Sequence, residues 1–301
     1  MHRLNITHTT EYAYHNPVGL LRHRLMIRPH DSHDLRLHTA TLAVEPEPAS
    51  IRWAHDVFGN SVCVLDWAPE TRTKLLRIVS ALELTHYPSG NAAPHATLDP
   101  GSETFPFSYA ADEIPDLSRL TERQFPDPDG LVDDWARGFV AGADSPSTLG
   151  ILEAMTQAIQ QNLTYAARDA EGTQTPAKTL TLGSGTCRDF ALLMMEAARA
   201  LGLAARFITG YLYDSGELAV RGGGTTHAWC AVYLPGAGWV EYDPTNGLLA
   251  GDHLVRVGVA RSPSQALPVA GGYVGDPADP KGLSVDVTVE VTQDEVALQA
   301  A

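Results

Sequence analysis

The residue best placed to do chemistry is Cys187, in the stretch "GSGTCRDFALLMMEAARALG" (183–202). The glycines before it allow a tight turn. Thr186, followed three residues later by Asp189, matches a capping box, which predicts that Cys187 is the first residue of a helix. Unpaired backbone N–H groups and the positive end of the helix dipole both favour a thiolate there. Since a cysteine of pKa about 8.5 is only about 3% ionised at pH 7, this position favours a nucleophilic thiol.

Packing is the alternative explanation for Cys187. The helix that follows it is apolar nearly all round, which indicates burial. Cysteine is itself one of the residue types most often found in cores. The location of Cys187 at the polar, glycine-rich start of the helix, rather than among the apolar residues, favours reactivity.

A base and an orienting group for that thiol are present in "TTHAWCAVYLPGAGWVEYDPTNG" (225–247). The pattern predicts two strands joined by a turn at the PGAG sequence, with His227 on the first strand and Asp243 at the end of the second. An odd number of loop residues, or a bulge, places both side chains on one face with Asp243 diagonal to His227. An even loop without a bulge separates them. Cysteine, histidine and aspartate in this order together favour a catalytic triad.

A zinc site is a competing interpretation of the same region. His227 and Cys230 form an H-x-x-C pair that on a loop could bind zinc with Cys187 and His253. On a strand the odd offset points the two side chains to opposite faces, so we expect no metal here and place Cys230 and Cys63 in apolar sheet. We also expect no metal and a solvated sheet face for the N-terminal histidines, at positions 2, 8, 15, 23, 30, 33 and 38.

The elements that must position these residues divide the chain in two. Alternating or β-rich runs predict an N-terminal antiparallel β-sandwich, with strands within 4–14, 20–29, 35–46, 60–69 and 74–84. The Pro-, Gly- and Ser-rich stretch 86–116 predicts a linker. We therefore expect an α+β protein with an N-terminal domain at residues 1–95 and a catalytic core at residues 96–301.

The second part begins with helical patterns and ends with strands. Helices are predicted within 129–142 and 145–165, the latter with Ser145 as N-cap and Pro146 at the first helical position. After the helix that begins at Cys187, the predicted strands lie within 204–213, 226–235 and 238–244. Two further runs, 252–260 and 283–292, are expected to extend that antiparallel sheet.

Composition restricts the class of protein. The 301 residues are 44% hydrophobic and 19% charged, as in globular proteins. The net charge of −15 disfavours nucleic acid or an anionic membrane as partner. Three cysteines without framework spacing, no signal-peptide pattern and no run of 18 apolar residues lead us to expect a cytoplasmic protein.

These motifs resemble the transglutaminase-like superfamily, in particular its bacterial two-domain members. The matching stretches are "GTCRDFALLMMEAARALGLAARFITGYLY", "THAWCAVYLPGAGWVEYDPTNG", "EYAYHNPV" and "DVFGNSV". The resemblance implies a papain-like α/β core with Cys187 as nucleophile, His227 as base and Asp243 as orienting group. It implies a protein or peptide amide substrate, no cofactor, and a thioester resolved by an amine or by water. Beside the Cys187 backbone N–H, Tyr165 and Gln174 are candidate second donors to the oxyanion.

Two rival functions use the same residues differently. A CoA-dependent amine acyltransferase can use the same three residue types, but no basic cluster near the motif would bind the CoA phosphates. A non-catalytic binding module that retained the fold would have no need of all three residues. Both rivals are therefore less consistent with the sequence than a thiol-dependent acyl transferase or hydrolase.

Overall fold

The computed structural model describes residues 1–88, 97–142, 145–167, 172–213, 226–249 and 253–292. The described helices are α1 (Ile114–Thr121), α2 (Leu131–Gly138), α3 (Thr148–Asn162), α4 (Pro176–Leu182) and α5 (Cys187–Ala200). The described strands are β1 (His2–Leu20), β2 (His23–Arg28), β3 (Leu35–Glu45), β4 (Ser50–His55), β5 (Ser61–Asp66), β6 (Thr73–His86), β7 (Thr164–Tyr165), β8 (Ser184–Gly185), β9 (Ala205–Leu212), β10 (His227–Leu234), β11 (Gly238–Asp243), β12 (Leu248–Leu249), β13 (Leu254–Ala260), β14 (Val269–Ala270), β15 (Tyr273–Val274) and β16 (Pro280–Thr292). The fold is α+β with mainly antiparallel sheets, as the sequence predicted.

The N-terminal strands form two antiparallel sheets. One has the order β15-β1-β6-β3, with β16 also paired to β1, and the other has the order β14-β2-β5-β4. Apolar side chains that alternate along these strands fill the space between the sheets; they include Leu25, Ile27, Cys63, Leu65, Leu76 and Ile78. This is the predicted β-sandwich. Burial in it raises the pKa of the Cys63 thiol to about 11.

The last strand corrects one expectation about the sheets. Strand β13 extends the sheet of the second half of the chain by pairing with β9, as predicted. Strand β16, however, pairs over its whole length with β1, from Arg3 opposite Thr292 to Tyr14 opposite Pro280. Hydrophobic periodicity predicts a strand but not the strand with which it pairs, and here the partner is at the opposite end of the sequence.

The division of the chain at residue 95 stays a prediction, since residues 89–96 lie outside the described part.

Two of the N-terminal histidines correct another expectation. His8 and His23 are almost fully buried, with 3% and 2% of their surface exposed, rather than lying on a solvated face. The His8 ring lies 3.1 Å from the Tyr211 hydroxyl of β9, so this part of the β1 sheet packs against the second half of the chain. Burial lowers the pKa of His8 to about 4, which keeps it neutral at pH 7.

The second half is built on the antiparallel sheet β12-β11-β10-β9-β13. Helix α5 packs on one of its faces and is buried nearly all round, as its apolar sequence predicts. Its buried charges are paired: Glu196 accepts from Arg199 at 2.8 Å and from Arg123 at 3.3 Å. The helix is therefore held rigidly in the core, and its first residue is held with it.

The start of α3 corrects a predicted cap. The N-cap is Ser147, whose Oγ accepts from the Gly150 N–H at 3.2 Å, and not Ser145. The chain just before the helix pairs with another segment instead: the Pro146 carbonyl accepts from Phe105 N–H, and Thr148 N–H donates to the Glu103 carbonyl. Helices α1 and α4 were not predicted. No helix in the described part of the chain is both long and apolar enough to cross a membrane.

Candidate active site

The turn before α5 has the predicted construction. Thr186 is the N-cap, its hydroxyl accepts from the Asp189 N–H, and the Asp189 carboxylate accepts from the Thr186 N–H at 2.9 Å. Gly185 is required here, because a Cβ on it would lie 2.9 Å from the Asp189 Cβ. Cys187 is therefore the first helical residue, as the capping box predicted.

Gln174 strengthens the same turn. Its backbone N–H donates to Asp189 Oδ1 at 2.7 Å, and its side-chain amide donates to the Ser184 carbonyl at 2.9 Å. These bonds use the Gln174 amide to hold the backbone in front of Cys187. Gln174, one of the two candidate oxyanion donors, is therefore engaged in positioning the turn.

The hairpin that carries His227 and Asp243 has an odd turn. Leu234 pairs with Gly238, so three residues connect the strands. The register pairs Ala231 with Glu241 and thereby places Asp243 diagonal to His227 on one face. His227 Nε2 lies 2.9 Å from Asp243 Oδ2, and both side chains are fully buried. The parity argument from the sequence is confirmed.

Asp243 is held by more than the histidine. Its Oδ1 accepts from the Thr245 N–H at 2.9 Å, and its Oδ2 accepts from the Asn246 side-chain amide at 2.7 Å. Burial raises the pKa of Asp243, but His227 and these donors outweigh burial and lower it. The carboxylate is therefore ionised and fixed. Asn246 was missed by the sequence analysis, although a polar residue soon after a strand-end Asp-Pro is a signal for such a turn.

The Cys187 thiol and the His227 imidazole favour each other's charged forms. Burial raises the pKa of Cys187, but hydrogen bonding to His227, its charge, the Arg188 charge and the Ala228 backbone N–H together lower it. Burial lowers the pKa of His227, but Asp243 and Cys187 raise it to about 10. Asp243 contacts Nε2, so the ring nitrogen left for the thiol is Nδ1, which is buried and otherwise without a hydrogen-bond partner among the described residues. Each partner therefore shifts the other towards its charged form, thiolate for Cys187 and imidazolium for His227.

Three further side chains surround this pair. Burial and contact with the Cys187 thiol raise the pKa of Tyr165 to about 12, so its hydroxyl is a proton donor at neutral pH. Arg188 is anchored through the Pro263 carbonyl at 2.8 Å and lies over the Phe207 ring. The Trp229 ring stacks on the imidazole with centroids 6.0 Å apart. No sequence argument had singled out Trp229 or Arg188 for the site.

Cys230 lies on the other face of β10, where it packs in the same apolar cluster as α5. His227 therefore does not share a face with Cys230, in agreement with the odd offset between them. Among the described residues, no group of three or more His, Cys, Asp or Glu side chains is arranged to hold a metal ion.

Comparison with known families covers both halves of the chain. Residues 133–244 match the transglutaminase-like superfamily core, and residues 4–85 match the bacterial transglutaminase-like N-terminal region. The chain has a transglutaminase-like core and a bacterial transglutaminase-like N-terminal region. Its transglutaminase-like core includes Cys187, His227 and Asp243, and its matched N-terminal region corresponds to strands β1 to β6 of the sandwich.

Relatives extend over nearly the whole chain. An uncharacterised protein of Mycobacterium tuberculosis strain H37Rv is 26% identical over 303 residues, which covers 96% of this chain and 92% of that protein. An uncharacterised Mycobacterium leprae protein is 34% identical over 111 residues, covering 36% of this chain and 38% of its own. A crystal structure from Cytophaga hutchinsonii, provisionally designated a cysteine protease, superposes with a TM-score of 0.67 at 20% identity, over 97% of this chain and 90% of its own. At that identity it shows that the fold is shared.

Proposed function

We propose that this protein catalyses thiol-dependent acyl transfer or hydrolysis at amide bonds of proteins or peptides, with Cys187 as nucleophile, His227 as base and Asp243 as orienting group. The observation that carries the proposal is the buried contact of His227 with Asp243 at 2.9 Å beside a thiol of lowered pKa. An inert core cysteine would have a raised pKa instead.

The first half-reaction follows from these positions. The Cys187 sulfur attacks the carbonyl carbon of a carboxamide or peptide, and the carbonyl π electrons move onto oxygen. The Cys187 N–H, which has no partner within the helix at its first position, is a donor for that oxyanion, and the Tyr165 hydroxyl is the proposed second donor. His227 then donates its proton to the leaving nitrogen as the C–N bond breaks, which leaves a thioester on Cys187.

The second half-reaction returns the enzyme. An amine or a water molecule attacks the thioester carbon while His227 accepts its proton, and the Cys187 thiolate leaves. Attack by an amine gives a new amide and attack by water gives an acid. Asp243 stays ionised throughout. As a carboxylate it holds the imidazole tautomer and stabilises the imidazolium that forms.

The test is to trap the thioester. The protein is incubated with a library of glutamine-containing peptides, with and without a biotinylated primary amine, and quenched in acid for intact-mass and peptide-mass analysis. We expect an acyl adduct on Cys187 and turnover that is lost in Cys187→Ala but kept in the matched core variant Cys230→Ala. The mass of the released peptide distinguishes amine incorporation from hydrolysis. Turnover that survives Cys187→Ala, or an adduct on another cysteine, would overturn the proposal.

A further inference from the structure

The imidazole of His227 has an aromatic neighbour whose position is closely controlled. Trp229 follows it by two residues on the same face of β10, and the two ring planes are inclined by only 24°. The Trp229 side chain is completely buried. Because the face of an indole attracts a cation, this stack interacts better with protonated than with neutral histidine.

The indole is fixed from two sides. Its Nε1–H donates to Glu241 Oε2 at 2.6 Å. On another side it lies against Gly210 of β9, where a Cβ would be only 2.6 Å from the Trp229 Cη2 atom. The hydrogen bond to Glu241 and the close contact with the Gly210 backbone together hold the ring in the orientation that stacks on His227.

The acceptor is itself held by the N-terminal sandwich. Arg256 of β13 contacts Glu241 Oε1 through one guanidinium nitrogen. Its other terminal nitrogen donates to Asp34 Oδ2 at 3.0 Å, and Asp34 lies directly before β3. We name this set of three charged residues the tether: Asp34, Arg256 and Glu241. The tether joins the N-terminal sandwich to the ring that packs on His227.

We propose that Trp229 is a positioning residue for His227, and that the N-terminal sandwich acts on the catalytic histidine through the tether. The proposal rests on the proposed function of His227 as base. It assigns the sandwich a role in the chemistry that needs no contact with substrate. The tether holds the indole, and the indole holds the imidazolium in its hydrogen bond with Asp243.

Other charged and titratable groups lie around the pair formed by His227 and Cys187, and they set the background for any measurement. Helix α5 contributes the Cys187 thiol and the Arg188 guanidinium, strand β11 contributes Asp243, and strand β7 contributes Tyr165. None of them is altered by the substitutions proposed here, so a change in His227 can be read from the ionisation of its partner, Cys187.

The experiment measures the rate of Cys187 alkylation by iodoacetamide between pH 5 and 9, by peptide mass mapping of the full chain. In Trp229→Phe we expect the rate at pH 6 to fall by roughly 2- to 10-fold, the range that an aromatic stack accounts for. The matched control is Trp239→Phe, on the neighbouring strand, whose ring stacks under Arg206 and against Tyr233 instead of His227. Its profile should coincide with that of the unsubstituted protein.

A second variant tests the far end of the tether. Asp34→Asn removes the charge at a partly exposed position and should shift the profile in the same direction by less than Trp229→Phe does. It also decides the matter if Trp229→Phe does not fold, as judged by thermal unfolding. An unchanged profile in folded Asp34→Asn would then overturn the tether.

The outcomes separate this inference from the proposed function. If Cys187 is not the first cysteine alkylated in the unsubstituted protein, the proposed function fails. If Cys187 is alkylated first but folded Trp229→Phe retains the original pH profile, only the positioning role of Trp229 is overturned. An equal shift in Trp239→Phe would show that loss of packing in the sheet, and not contact with His227, moves the profile.

Discussion

Two cysteines lie in one apolar core, Cys187 at the start of α5 and Cys230 in the middle of β10. Their surroundings shift the pKa values of the two thiols in opposite directions. Burial raises the pKa of Cys230, and the nearby carboxylates of Asp243 and Glu241 raise it further. Burial also raises the pKa of Cys187, but His227, Arg188 and a backbone N–H outweigh it. Burial alone therefore makes a thiol inert, and the donors and positive charges around it decide whether it reacts.

A single carboxylate contributes to both results. Asp243 raises the pKa of Cys230 directly, since two negative charges repel. The same carboxylate raises the pKa of His227, and the resulting imidazolium lowers the pKa of Cys187. The same negative charge therefore raises the pKa of a thiol that it faces directly and lowers the pKa of a thiol that is paired with an intervening imidazolium. Exposure adds to the contrast, because 7% of Cys187 remains accessible and Cys230 has no exposed surface.

The largest effect is expected from Asp243→Asn. The amide can present a donor to His227 and favour the wrong imidazole tautomer, so turnover should fall by about 10³- to 10⁴-fold in a folded protein. Steady-state rates with a substrate identified by thioester trapping measure this, and circular dichroism checks the fold. Asn246→Ala, which removes only one donor to Asp243, should cost much less. Near-native turnover in Asp243→Asn would mean that another group orients His227.

The next effect is expected from His227→Ala. Without the imidazolium the Cys187 thiolate keeps the helix terminus, Arg188 and the Ala228 N–H. Its alkylation rate at pH 6 should therefore fall by about 10- to 100-fold, which corresponds to one to two pKa units. Alkylation should recover towards higher pH, and Cys230 should stay unlabelled throughout. Rapid labelling of Cys187 at pH 6 in this variant would show that His227 does not stabilise the thiolate.

The pH profile of the unsubstituted protein sharpens the comparison further. The pKa of Cys187 is lowered and that of His227 is raised to about 10, so thiolate and imidazolium coexist between these two values. Alkylation of native Cys187 should therefore rise less steeply between pH 7 and 9 than that of an unperturbed thiol. In urea, where each thiol has its ordinary pKa of about 8.5, the rate should rise about tenfold per pH unit up to that value. A native profile as steep as the unfolded one would contradict the ion pair.

The smallest effect is expected from the cap. Thr186→Ala removes the N-cap hydroxyl of α5 and should lower the free energy of unfolding by about 1 kcal/mol. The matched control is Thr175→Ala, which removes the N-cap hydroxyl of α4, an acceptor for the Lys178 N–H at 3.3 Å. Urea unfolding should show similar losses for both. Only Thr186→Ala should also slow Cys187 alkylation, and an equal slowing in Thr175→Ala would remove the link between cap and thiol.

Local sequence patterns are enough to predict the parts of the site that depend on near neighbours. The capping box places Cys187 at the first helical position because its partners are only three residues apart. The alternation of the hairpin and its odd turn bring His227 and Asp243 to one face, because strand geometry allows only two faces. The fold class is predictable for the same reason, because the hydrophobic periodicity that distinguishes a strand from a helix is contained within a single element.

The contacts between distant parts of the chain could not be predicted in this way and follow from the folded structure. His8, which was expected to be solvated, is buried and contacts Tyr211. Strand β16 pairs with β1 instead of extending the sheet of the second half. The fold also brings the tether from the N-terminal sandwich to Trp229, and Tyr165 to the thiol. Hydrophobic periodicity indicates on which face of a strand or helix a side chain lies, but not which residues pack against that face. Ionisation in a core depends on what packs there, because in a low dielectric the nearest charges and donors outweigh every local preference.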